Sequence, residues 1–239
     1  MGSSQRKRKL YRPPRANEYK ELSFVTPSLE DLFAFFDSVD LDEEHKMLRV
    51  GYTMDNVQGD FVESNLRTTA VAIKYLMGER VIQPGMTFCD AGSGDGRITY
   101  LAELMGLDAF GIDFSNKLGF WDRVATYQTK LQTQQIIKDV EHLIQGDFTN
   151  DNTYLGVDNC FEGVSIFYNY INSYLALGKK INKQSPSGTI FMLHGDRGGE
   201  REILANCPNL TLRETVTVSL EEVATIPGLP RYYFIFQKQ

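Results

Sequence analysis

Cysteine is scarce in this chain of 239 residues, and what there is does not cluster. Cys89, Cys160 and Cys207 are an odd number at wide spacing with no C-x-x-C pair, which supports neither a disulfide framework nor a thiolate zinc site. Histidine is equally sparse: three residues, none in an H-E-x-x-H or H-x-x-x-H arrangement, so no metal ligand set is expected. No apolar run approaches the roughly 18 residues that cross a bilayer. The N-terminus lacks the apolar stretch of a secretory leader. The expectation is a chain with no membrane partner and reduced thiols, cytoplasmic or, if eukaryotic, possible in the nucleus.

Positive charge is also missing from most of the chain. Six of the 25 bases (Arg6, Lys7, Arg8, Lys9, Arg12 and Arg15) fall within residues 1–15, where there is no acid, which leaves 19 bases against 31 acids in the rest. Residues 1–20 therefore read as a basic, Pro-containing, disordered arm on an acidic body. Such an arm suits weak contact with nucleic acid, or simply lies solvated against its own acidic domain. The remaining composition, 42% hydrophobic and 23% charged, is that of a folded domain.

What the chain does have is one glycine-rich stretch, Thr87-Phe88-Cys89-Asp90-Ala91-Gly92-Ser93-Gly94-Asp95-Gly96-Arg97. It predicts a buried strand, a tight turn free of Cβ atoms, and a helix starting near Gly96. Amides at the start of that helix would face the same space and favour a carboxylate or phosphate. Together these predict a nucleotide-type site at the carboxyl end of a first strand. The pattern is not G-x-G-x-x-G, because Arg97 stands where the third glycine would be, and no Lys-Ser or Lys-Thr follows as in a phosphate loop.

The rest of the chain alternates around this stretch. Residues 21–80 read as a helical extension. Its first helix lies over 27–46, with Leu29, Leu32, Phe33 and Phe36 on one face, and a second covers 61–77, with Glu63 and Thr68 at its entry. Residues 81–239 form the main domain. Its expected elements are strand 86–90, helix 97–106, strand 109–113, helix 115–138, strands 140–145, 163–168 and 189–194, helix 199–205, and strands 210–218 and 231–237. Asp113 closes the second strand, 17 residues after Gly96, near the spacing at which a Rossmann-type acid meets ribose hydroxyls. A carboxylate offers the two acceptors that a vicinal diol needs. Asp147-Phe148, after the third strand, offers an acceptor for an exocyclic amine and an apolar wall for an adenine ring.

An acid, then G-x-G-x-G after an apolar strand, resembles the first motif of class I S-adenosylmethionine-dependent methyltransferases. The resemblance implies an α/β fold: a three-layer, Rossmann-like domain with a seven-stranded, mostly parallel sheet and an antiparallel C-terminal strand. It implies S-adenosyl-L-methionine as cofactor, held by Glu63, Asp90, Gly92, Ser93, Gly94, Gly96, Arg97, Asp113, Phe114, Asp147 and Phe148. Phe61-Val-Glu63-Ser, the 90–97 loop, Gly146-Asp147-Phe148 and Ile166-Phe-Tyr-Asn169-Tyr170 occur in the order found in Dot1-like histone lysine methyltransferases. By that resemblance Asn169 and Tyr170 would be catalytic, with Asn169 beside the transferred methyl. Tyr170 stands where that family has a second asparagine.

Three functions stay open at this point: methylation of an amine on a protein, with lysine leading; methylation of a small metabolite; and a non-catalytic subunit that keeps the fold. In the second, Leu32, Phe33, Phe35 and Phe36 would form part of a lid over the site.

Overall fold

The computed structural model describes residues 25–41, 64–115, 119–138, 143–156, 160–218 and 231–239. The basic arm and Glu63 lie outside these residues. Helix α1 spans Pro27–Leu41. Thr26 starts it, its Oγ1 accepting from the Leu29 N–H at 3.3 Å, and Pro27 occupies a first-turn position where a missing N–H is harmless. Helix α2 spans Leu66–Gly78, capped by Asn65, whose side chain accepts from the Thr68 N–H.

Seven strands follow, interleaved with four more helices among the described residues. In chain order they are β1 (Thr87–Ala91), α3 (Arg97–Leu104), β2 (Asp108–Asp113), α4 (Phe120–Thr133), β3 (Leu143–Gln145), β4 (Ile166–Tyr170), α5 (Tyr174–Gln184), β5 (Ile190–Gly195), α6 (Arg197–Asn206), β6 (Leu210–Val218) and β7 (Arg231–Lys238). The sheet order is β3-β2-β1-β4-β5-β7-β6. Parallel pairing runs from β3 to β5, and β7 is antiparallel to both β5 and β6, so it alone runs against the rest. This is the expected three-layer architecture.

Two cores flank the sheet. On one face Phe88, Ala109, Ile166, Tyr168 and Ile235 pack with α1, α2, α3 and α4. On the other, Cys89, Phe110, Phe167, Phe191 and Phe234 pack with α5 and α6. Leu29, Leu32, Phe33 and Phe36 of α1 belong to the first core, each worth about 1.5–3 kcal/mol on burial. The N-terminal extension therefore shares its core with the sheet. Among the described residues, no helix is long and apolar enough to cross a membrane.

The sequence reading needs three corrections. β4 runs to Tyr170, two residues beyond the expected end, so Asn169 and Tyr170 lie in the strand; residues 161–163 form a 3₁₀ turn instead. Helix α5 was not expected at all, because its apolar face is only Leu177, Gly178 and Ile181. Helix α4 is shorter than 115–138; Ile136 and Ile137 are buried beyond its end.

Candidate functional site

The site is built where β1, β2, β3 and β4 end together. After Ala91 the chain turns sharply, with Gly92, Gly94 and Gly96 all at positive φ. At Gly96 (φ +84°) a side chain would be strained, and its Cβ would also fall 2.6 Å from Leu143 Cδ1. Gly111 on the neighbouring strand is needed for space: a Cβ there would lie 2.5 Å from both Ser93 Cβ and Thr99 Oγ1. The loop and the first turn of α3 thus sit directly on β2.

The amides of this loop differ from expectation. Those of Gly92 and Ser93 donate to Ile112 O (2.8 and 3.0 Å), and that of Gly96 donates to Ser93 O (2.9 Å). The Gly94 amide donates to Asp113 Oδ2 at 2.8 Å, and the Arg97 amide to Asp95 Oδ1 at 3.3 Å. These five donors are engaged by the chain itself and are not free to cradle an anion.

Asp113 ends β2 as an Asx turn: Oδ1 accepts from the Ser115 N–H at 2.8 Å while Oδ2 holds Gly94. Each oxygen keeps a second lone pair for a hydroxyl. Burial raises its pKa, and the two amide donors oppose that. Phe114, next to it, is 42% exposed. Asp147 repeats the turn after β3, its Oδ1 accepting from Thr149 N–H and Oγ1, both at 2.7 Å. The Gly146 amide ties this end to Asp113 O at 2.9 Å. Phe148 is partly buried against the second core.

Gly92, Phe148 and Asn169 come together. A Cβ on Gly92 would lie 3.8 Å from Phe148 Cε1 and 3.9 Å from Asn169 Nδ2. Asn169 is fully buried. Its Nδ2 donates to Ala91 O (2.7 Å) and Asn172 O (2.9 Å), while its Oδ1 is buried with no partner. Both amide hydrogens are engaged, so the group presents an acceptor only. Asn172 is held by a three-residue turn, its N–H donating to Tyr170 O at 2.7 Å, with Ile171 at the centre in the left-handed region (φ +63°). A β-branched residue there stores strain.

Two expected residues face inward instead. Asp90 is 2% exposed and accepts from Thr99 Oγ1 at 3.0 Å. Burial lifts its pKa to about 7, the Thr99 bond opposes this, and Asp113 and Asp95 add to it. Arg97, expected at the ligand, gives its guanidinium to Asp95 and Asp40. Burial pulls its pKa down, but those two carboxylates outweigh burial and raise it.

Sequence reasoning missed the groups behind Tyr170. Its ring stacks on His194 and His194 on Tyr233, both at 4.3 Å between centroids. Tyr168 Oη donates to Ser64 Oγ at 3.0 Å and lies 3.1 Å from His194 Nδ1. With that hydroxyl proton on Ser64, His194 Nδ1 is the donor, and its Nε2 is buried without a partner. Burial first, then Arg231, lowers the His194 pKa to about 3. Only the fold brings these groups together. Ser115 was missed as well, although Asp113-Phe114-Ser115 carries the signal of an Asx turn.

No protein-family model matches the chain, and no curated protein matches it. Solved structures do. A structure assigned as a sarcosine dimethylglycine methyltransferase from Galdieria sulphuraria aligns at TM-score 0.52 and 14% identity, over 87% of this chain and 98% of its own. Magnesium protoporphyrin IX methyltransferase (ChlM) from Synechocystis, with bound SAH, aligns at 0.51 and 13%, over 89% and 100%. TrmN from Thermus thermophilus aligns at 0.50 and 15%, over 71% of this chain but only 49% of TrmN, so the match spans about half that protein's length. By sheet order and by these likenesses, the chain has the Rossmann-like, seven-stranded methyltransferase fold.

Proposed function

We propose that the chain is an S-adenosylmethionine-dependent methyltransferase that acts on an amine, with a protein lysine as the acceptor. The observation that carries this is Asn169: both its N–H groups are fixed on main-chain carbonyls, and a bare acceptor is left beside Gly92. An acceptor-only group suits a nucleophile that still carries N–H.

The residues present fit the cofactor. Ser93 Oγ and Ser115 Oγ are buried polar atoms without partners, and buried polar atoms of this kind call for one. Asp113 has acceptors left for a ribose diol, Asp147 keeps Oδ2 for an exocyclic amine, and Phe148 supplies a ring wall. The glycine at 92 leaves room for close approach. When bound, the cofactor supplies an activated sulfonium methyl.

The chain's own part is alignment. Asn169 Oδ1 accepts from the incoming amine and aims its lone pair, and the packed strand ends exclude water. Tyr170, fixed by His194, offers a ring face to a cationic amine. The lysine refinement is supported by resemblance at Asn169 and by the excess of acids outside the arm, which draws basic partners. Leu32, Phe33 and Phe36 lie in the core, which withdraws the support a metabolite lid would have drawn from them. Residues 1–15 carry six bases and no acid, a composition that suits weak nucleic-acid contact.

The test is calorimetric titration with S-adenosylmethionine and S-adenosylhomocysteine, followed by labelled-methyl transfer to basic proteins and small amines. Wild type should bind in the micromolar range and Asp113→Ala should bind far more weakly. Asn169→Ala should bind but transfer at least about 100-fold more slowly. No binding by wild type sinks the enzyme reading. Full transfer by the Asn169 variant sinks the assigned role.

A further inference from the structure

Helix α1 carries the same four-residue grip twice. Phe33 and Asp37 are one helical turn apart, and so are Phe36 and Asp40, which puts each ring and carboxylate on one stripe. Each pair holds an arginine, one from the neighbouring helix α2 and one from the main domain. Arg67 of α2 donates to both oxygens of Asp37 (2.9 and 2.6 Å) with its guanidinium 5.0 Å from the Phe33 ring centre. Arg97 of α3 donates to both oxygens of Asp40 (3.1 and 2.8 Å) with its guanidinium 4.7 Å from Phe36.

The two grips differ in what lies behind the arginine. Arg67 and Asp37 are a surface pair, with side chains 29% and 54% exposed. Arg97 is 5% exposed and continues inward, its Nε and Nη2 donating to Asp95 at 2.7–3.1 Å. Asp95 lies between Gly94 and Gly96, in the loop that sits on β2. The loop's other side is pinned by Asp113 at the Gly94 amide. A stretch with three positive-φ glycines has little stiffness of its own, so these two side-chain pins act with the Gly92 and Ser93 amides on Ile112 O to hold its shape.

We infer that Asp40 of α1 is a positioning residue for the cofactor site, acting through Arg97 and Asp95 on the Gly92–Gly96 loop. The inference rests on the reading that this loop meets the cofactor. Linkage makes the effect reciprocal: cofactor bound at the loop tightens α1 on the domain.

The second grip is the internal control. Asp40→Asn and Asp37→Asn each remove one bidentate partner from α1, so both loosen its docking, but only the first reaches the loop. Asp40→Asn should weaken binding of both S-adenosylmethionine and S-adenosylhomocysteine by about fivefold or more, within the usual range of coupling between sites. Asp37→Asn should leave both within twofold, on the order of RT ln 2, and Asp40→Glu should recover part of the loss. Equal weakening of the two ligands marks loop geometry. A larger loss for the sulfonium-bearing ligand alone marks a through-space charge effect and overturns the inference, as does equal behaviour of the two asparagine variants.

Hydrogen exchange of the ligand-free protein separates this from the cofactor reading. Amides of residues 92–97 should exchange faster in Asp40→Asn than in Asp37→Asn. If wild type binds neither ligand, the cofactor reading falls with the inference's claim on that site, and faster exchange would retain only the pinning of the loop. Unchanged exchange with normal wild-type binding overturns the pinning itself.

Discussion

The two faces of the sheet are made of different material. Under α5 and α6 the core is Cys89, Ala91, Phe110, Ile112, Phe167, Phe191, Leu193, Phe234 and Phe236, joined by the Tyr154 hydroxyl on Phe148 O and by Asn169 at the upper end. Under α1–α4 the same strands place Asp90 against Thr99, Tyr168 between Ser64 and His194, and Tyr233 against Thr68 and Thr69 at 2.8 and 3.0 Å. One face is a stiff apolar wedge that holds Asn169 still. The other is a polar network that titrates, with His194 Nε2 left without a partner.

The sharpest way to break this contrast is to damage the wedge. Phe191→Ala removes a ring that is 0% exposed and stacked 5.9 Å from Phe236; it should cost about 3–5 kcal/mol in denaturant unfolding, with no new pH dependence. The second test is Asp90→Asn. A carboxyl whose folded pKa is about 7 rather than 3.8 stabilises the fold when protonated, so its contribution is full below about pH 4 and is lost as pH rises to about 7. The variant should be more stable than wild type at pH 8 by on the order of 2–4 kcal/mol, and should lose that slope in unfolding measured across pH.

His194 has the opposite sign on the same face. Its pKa is pushed from 6.5 to about 3, so its contribution is present above about pH 6.5 and is lost as pH falls through the folded value. In Asp90→Asn this slope should remain, beside the one of Asp90's sign that burial gives Asp113. Tyr168→Phe, which strips one partner from both Ser64 and His194, should cost about 1–3 kcal/mol and show in thermal unfolding. At the small end, Leu155 is 82% exposed, so Leu155→Ser should move stability by no more than about 0.5 kcal/mol.

The sequence showed the individual strands and the glycine loop because each is local. Strand β6 was read at its observed bounds from its alternation, and Asp113 from its distance to Gly96. The polar face was not legible. Arg97 and Asp40 are 57 positions apart, and nothing in either segment announces the other. Helix α5 was hidden for a different reason: it follows Ile171 and Ser173, both in the left-handed region, and its few apolar residues sit next to turn-forming ones. Asn169 was singled out by resemblance, but the feature behind its proposed role, two donors fixed and one acceptor left over, exists only once Ala91 and Asn172 are in place.

Strand β7 lies between β5 and β6, although it is the last of the seven in the chain. During synthesis the sheet therefore cannot close until residue 238 has left the ribosome. Until then β5 and β6 each present an unpaired edge, the form of strand most prone to joining another chain. Synthesis is thus the stage at which these edges are open, and substitutions in β7, far in sequence from the glycine loop, should lower soluble yield more than equal ones on the surface.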